Sequence, residues 1–233
     1  MTKKKTPKKN KIALTIAIII ILIGGGVLLF PQISQTVYNA KTNSAKAEFE
    51  EFCQTDNFDK LYAELQKRNE ELYQNKQADL KDPFSYSQPD IDLTQYGISN
   101  NVIGYLTVPK MDICVPVILG SNDETLKKGA THLTQTSYSI GGENTNSVLA
   151  AHRGYGKAAM FRHIEKLEPG DKIYLENFRE ILVYQVSEIK IIEPTDVNEL
   201  TIKDNEDIIT LITCHPYRVN TQRYVVYCTR ITE

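Results

Sequence analysis

Residues 207–214 read DIITLITC, a β-rich apolar run that stops at a cysteine, and nine residues further on Arg223 opens a second run of the same kind, RYVVYCTR over 223–230. Residues of this type, bounded by polar turns, read as strands. A thiol at the end of one strand is a candidate nucleophile. A guanidinium on the next presents a rigid, permanently charged fork that can stabilise a thiolate, an oxyanion or a peptide carbonyl. Upstream, the strand-like run SVLAA over 147–151 leads into His152, with Gly154 as a breaker. Cys214, His152 and Arg223 thus offer a nucleophile, an acid/base and a cationic donor, the roles that cysteine acyl transfer requires. The competing fate of an isolated strand cysteine is that of a small core hydrophobe.

Similar β-rich runs recur at 102–108, 113–119, 147–151, 172–175, 181–192, 208–214 and 223–231, separated by turns such as Gly141-Gly142 and Glu168-Pro169-Gly170-Asp171. Short helices are expected near 123–129 and 158–167. So many strands with so few helices predict a mainly β fold, a closed or nearly closed barrel of about eight strands. In such a barrel residues far apart in sequence meet at one rim.

Before the barrel, residues 45–77 carry Phe49, Phe52, Leu61, Leu65 and Leu72 at near-helical spacing among Glu, Lys and Gln. This predicts a helical segment, split in two at Asp56-Asn57. Residues 78–96 follow as a polar stretch with Asp82-Pro83-Phe84 and Pro89. Proline fixes its own backbone and turns the preceding residue away from helix, so this is a loop with rigid corners.

The first 47 residues contain no acidic side chain. Six lysines (Lys3, Lys4, Lys5, Lys8, Lys9 and Lys11) precede an uncharged run of 19 residues, 12–30. A helix of that length reaches about 28 Å, close to the thickness of a bilayer core. A cleavable signal peptide fits less well, because its apolar region is shorter and the nearest A-x-A pattern, Ala45-Lys46-Ala47, lies far past the run. The expectation is an uncleaved single-pass anchor in the cell membrane, N terminus in the cytoplasm and the remainder outside. Setting the six tail lysines aside leaves 21 basic against 29 acidic residues, a net charge of −8, which argues against nucleic acid as a partner.

The four cysteines, Cys53, Cys114, Cys214 and Cys228, are widely spaced and contain no C-x-x-C pair. Two bridges remain possible outside the cell, and one through Cys214 would abolish the nucleophile. Only Cys214 and His215 are close enough to suggest zinc, and neighbours on a strand point to opposite faces. No metal and no cofactor is expected. The other histidines, His132, His163 and His215, are assigned structural or peripheral places.

These residues carry a family resemblance. Thr210-Leu211-Ile212-Thr213-Cys214 is similar to the TLxTC signature of sortases, the membrane-anchored cysteine transpeptidases of Gram-positive surfaces, with Thr213 as a supporting residue. His152 in Ala151-His152-Arg153-Gly154 and Arg223 at the head of the next strand complete the match, in the order His, Cys, Arg, and Gly129-Ala130-Thr131-His132-Leu133 and Gly141-Gly142-Glu143-Asn144 support it. The resemblance covers residues 82 to 233. Asp82-Pro83-Phe84 further resembles the lid of class C, the pilin-polymerising sortases, as do Pro216-Tyr217 and Asn220-Thr221. The chain departs from that class's commonest pattern at His215 and Gln222, and in ending at Glu233 without a second apolar segment.

The resemblance implies a sortase-type barrel over 97–233, preceded by a basic cytoplasmic tail (1–11), a transmembrane anchor (12–30), a juxtamembrane helical segment (31–78) and a lid loop (79–96). It implies that Cys214 attacks the threonine carbonyl of an LPxTG-like sorting signal, forming a thioester, and that an amine resolves it. In class C the amine is a pilin lysine; in the housekeeping alternative it belongs to a cell-wall precursor. His152 would act as acid and base, and Arg223 would hold substrate carbonyls and the oxyanion. Asp82 would pair with Arg223 or approach Cys214, and Phe84 would fill the place of a substrate side chain. The expected partners are pilins or surface proteins bearing a C-terminal sorting signal, met by a monomer. A papain-like peptidase places its cysteine before its histidine, the reverse of the order here. A mere binding module would tolerate Cys214→Ala.

Overall fold

In a computed structural model, described for residues 8–55, 58–77, 80–85, 88–154 and 158–232, eight strands close into a barrel. They are β1 (Val102–Val108), β2 (Ile113–Leu119), β3 (Ala130–His132), β4 (Thr145–Ala150), β5 (Lys172–Asn177), β6 (Ile181–Ile192), β7 (Asp207–His215) and β8 (Gln222–Arg230). Around the barrel the order is β1-β2-β3-β4-β7-β8-β6-β5. β2 with β3 and β4 with β7 are parallel, and the other pairs are antiparallel. The mainly β closed barrel read from the sequence is the observed fold. Strand alternation sorts the side chains of β4, β7 and β8 into two layers. Leu149, Ala151, Ile209, Leu211, Val226 and Cys228 belong to the main core. Val148, Ala150, Ile212, Val225 and Tyr227 belong to a second cluster on the opposite face, which Leu80 and Phe84 partly cover.

Two long helices precede the barrel, α1 (Lys8–Thr55) and α2 (Asp59–Gln74), and the expected break at 56–57 falls between them, outside the described residues. α1 runs without interruption from the apolar stretch into the segment that docks on the barrel, with Pro31 inside it. Its apolar stretch is unburied, long and apolar enough to cross a membrane. Past that stretch the helix is fastened at several levels. The Ala159 amide donates to Gln35 Oε1 (2.7 Å), Tyr38 Oη donates to the Lys128 carbonyl (2.9 Å), and Lys46 pairs with Glu176 (2.6 Å). Phe49 packs edge-on against Tyr105. α2 buries Leu61 and Leu65, and its Asn69 accepts from the Tyr138 amide (2.7 Å).

The structure differs from the sequence reading in two short pieces. Residues 158–167 form turns and a single 3-10 turn at Ile164–Lys166 rather than a helix; Met160 takes φ 46°, a left-handed conformation that cannot continue a right-handed helix. The other expected helix is a single turn, α3 (Asp123–Leu126), closed by a capping box in which Asn122 Oδ1 accepts from the Glu124 and Thr125 amides. Gly104 in β1 is required by close approach, since a Cβ there would collide with the Glu176 carbonyl of β5.

Candidate active site

Two of the three chemistry-bearing residues lie on neighbouring strands of the barrel, and the third, His152, follows the end of β4, which flanks them. Cys214 on β7 is directly opposite Arg223 on β8. On the other side, β4 pairs with β7 up to Ala150↔Ile212, and Ala151 N–H continues the ladder to the Ile212 carbonyl (3.3 Å). Thr213 Oγ1 donates to the Ala151 carbonyl (2.7 Å), fastening the two strand ends together. His152 follows two residues past the end of β4, the strand that pairs with β7 next to the end carrying Cys214. Parity places 214 and 223 on the face of Ile212 and Val225, outside the barrel interior. His152 is held from behind, its carbonyl accepting from the Phe161 amide (3.0 Å). His215 falls on the opposite face from Cys214.

That outer face is occupied by the segment around Asp82. Arg223 Nε donates to Asp82 Oδ1 (2.8 Å) and Nη2 to Oδ2 (2.9 Å), a bidentate pair with both side chains largely buried. Nη1 donates to the carbonyls of Asn220 (3.3 Å) and Gln222 (3.0 Å). The guanidinium lies 5.0 Å from the centre of the Phe84 ring, which packs with Leu80 on the second cluster. Pro83–Ser85 form a 3-10 turn, tied back by Ser85 N–H and Oγ donating to the Asp82 carbonyl (2.9 and 2.6 Å). Asp82, Phe84 and Arg223 are thus brought together, and Asp82 takes both forward donors of the guanidinium.

Burial dominates the electrostatics. It pushes the half-buried Cys214 thiol above its ordinary 9.0; Arg223 pulls it down and Asp82 pushes it further up. Burial holds His152 below its ordinary 6.5, with Asp123 opposing and Lys127 adding to the depression. Both shifts favour the uncharged forms, thiol at Cys214 and imidazole at His152. None of the four cysteines is bridged, so Cys214 is a free thiol. Cys228 is fully buried in the core, Cys114 and Cys53 half-buried.

A cluster the sequence reading did not single out sits beside the site. Arg153, buried next to His152, pairs with Glu165 and donates from Nη1 to Nδ1 of His215 (3.1 Å). It ties together the neighbours of His152 and Cys214. A charged residue three positions past the end of a buried strand was the available signal. His132 is fully buried, with Nε2 3.0 Å from the Ser137 carbonyl and its ring stacked on Tyr138. Among the described residues no group of His, Cys, Asp and Glu gathers in a way that could hold a metal ion.

Comparison with known proteins accords with this geometry. Residues 106–231 match the sortase domain family model. Sortase A of Listeria monocytogenes is 32% identical over 91% of this chain and 88% of its own length. Among solved structures, the sortase C1 of GBS pilus island 1 superposes with a TM-score of 0.75 at 30% identity, covering 82% of this chain and 98% of that one. A Clostridium perfringens sortase C, solved with the C-terminal cell wall sorting motif, superposes with a TM-score of 0.70 at 32% identity, covering 82% and 99%.

Proposed function

The chain belongs to the sortase family, and from that premise we propose that it cleaves an LPxTG-like sorting signal between threonine and glycine and transfers the acyl group to a pilin lysine. His152 takes the proton of the Cys214 thiol, the resulting thiolate adds to the threonine carbonyl carbon, and the negative charge passes to the carbonyl oxygen. Arg223, opposite on β8, supplies the donors for that oxyanion. The carbon–nitrogen bond then breaks, His152 protonates the departing glycine amine, and a thioester remains on Cys214. In the second half the incoming neutral amine adds to the thioester as His152 takes one of its protons, the Cys214 thiolate leaves as an amide forms, and His152 returns the proton to the thiolate.

One observation carries the class C reading. Asp82 holds Arg223 by both carboxylate oxygens while Phe84 lies against the same guanidinium. A donor fork occupied in this way cannot serve an oxyanion, so the 80–85 segment must swing away before acylation, acting as a lid. The solved structures reported above carry the name sortase C, whereas the Listeria relative carries the name sortase A. Structural similarity and the Asp82–Arg223 contact favour polymerisation; the sequence relative's name is the ground for keeping transfer to a cell-wall amine as the second reading. The apolar part of α1 anchors the enzyme in the cell membrane, and the lysine tail assigns its N terminus to the cytoplasm. Incubating the full-length protein with candidate pilins and sequencing the joined product by mass spectrometry tests the proposal. An isopeptide bond to a lysine is the expected result; a product joined only to a cell-wall amine would overturn it.

A further inference from the structure

α1 serves as a ruler for the height of each part of the barrel above the membrane. The apolar run ends at Phe30, and the helix contacts the Ala159 amide as early as Gln35. At the helical rise those five residues span about 8 Å, and any tilt makes the height smaller. The headgroup layer on one side of a bilayer is itself roughly 5 to 8 Å deep. Segment 158–163 therefore lies at headgroup level. The opposite end of the barrel is far higher, because Ile181 lines a cleft with Lys46, Glu50 and Gln54 of α1, about 24 to 36 Å beyond Phe30 along the helix.

The catalytic rim belongs to the low end. Phe161 is bonded to the His152 carbonyl, and Arg162 lines a groove together with Pro31, Gln32 and Gln35. From that groove Arg162 reaches over Tyr217, its guanidinium 5.1 Å from the ring centre, on the loop that follows Cys214. Arg218 stands 5.3 Å from the same ring. Tyr217 and Val219 are exposed at 37% and 62%. An exposed aromatic and an exposed aliphatic flanked by two arginines suit an interface that is apolar below and phosphate-rich at its surface. Asp112, on the wall of the same groove, is a nearby acid, and Glu165 is paired with Arg153.

We infer that the rim carrying Cys214 rests on the membrane, with Tyr217, Val219, Arg162 and Arg218 in contact with phosphate-bearing lipid headgroups. Peptide substrates then enter along the bilayer surface rather than from bulk solution. The inference rests on the reading of residues 12–30 as a membrane span.

The chain has no tryptophan, so one introduced indole reports alone. Val219→Trp and Ile181→Trp, both at exposed positions, are reconstituted as full-length protein in vesicles of phosphatidylcholine and phosphatidylglycerol containing a headgroup-nitroxide lipid. The expected result is loss of most Val219→Trp emission and unchanged Ile181→Trp emission. Equal quenching at both positions, or none at 219 in protein that floats with the vesicles, would overturn the inference. Protein that fails to float would instead overturn the anchor reading and the inference with it. Adding Arg162→Glu and Arg218→Glu to Val219→Trp is expected to reduce the quenching; no reduction would overturn the phosphate contact.

Discussion

Cys214 and Cys228 sit on the two strands of one hairpin, yet they face different worlds. Cys228 points into the barrel among Leu211, Ile209 and Val226, and burial alone drives its thiol far above the ordinary range. Cys214 is one of the residues of opposite parity, facing Arg223 with Asp82 close by. Residue type is the same; strand parity decides which thiol meets a charge. On the proposed mechanism, reactive chemistry is confined to the outer layer at one rim, and the interior contributes rigidity.

The largest effect should separate the two thiols completely. Cys214→Ala is expected to abolish the thioester and all joined product, measured by mass spectrometry with a sorting-signal peptide and an amine. Cys228→Ala should keep turnover and cost about 1 kcal/mol of stability, the usual scale for removing a small group from a packed core. A lowering of the unfolding midpoint with normal product formation is the signature. Loss of thioester in Cys228→Ala without loss of folding would break the contrast between interior and rim.

Arg223→Ala comes next. Arg223 is the proposed oxyanion donor, and its removal is expected to lower kcat by roughly 100- to 1,000-fold, measured with a sorting-signal peptide and an amine. Arg223→Lys keeps the charge and loses the fork, so it should recover little. Near-normal kcat in either variant would show that the residue opposite Cys214 stabilises only the closed form.

Much of this contrast was legible in the sequence. The limits of β1, β2 and β6, the placing of Cys214 and Arg223 on successive strands, and the closed barrel all follow from apolar runs and turn residues. β3 was not, because three residues, Ala130–His132, are too short for any alternation to register. The expected helix at 158–167 failed for a local reason, the left-handed Met160. The Asp82–Arg223 pair spans 141 positions and left no trace in periodicity; only the family resemblance anticipated it. Arg153 linking Glu165 to His215 was missed for the same reason, since its partners lie on separate elements.

Asp82→Ala should have a smaller effect and of opposite sign. Losing the bidentate contact removes about 1.5 to 3 kcal/mol of closing energy. That corresponds to roughly a 10- to 100-fold faster reaction of Cys214 with a thiol reagent. Cys228 should stay unreactive in the same sample, which makes it an internal control for unfolding. Equal rates in wild type and Asp82→Ala would remove the lid from the account.

The smallest effect is a shift in a pH profile, and its sign isolates charge from occlusion. Asp82→Asn removes the carboxylate charge but keeps a side chain of the same size. The thiolate is the form that attacks a thiol reagent, so the rate rises with pH through the pKa of Cys214. In the wild type burial holds that pKa above 9.0, Asp82 adds to the rise and Arg223 opposes it. Without the carboxylate charge, Arg223 acts on the thiolate unopposed, and the midpoint should move to lower pH. A lid that only blocks access would raise the plateau rate and leave the midpoint where it was. A midpoint that moves down together with a higher plateau would mean that Asp82 restrains Cys214 twice, by covering it and by cancelling the cation opposite it.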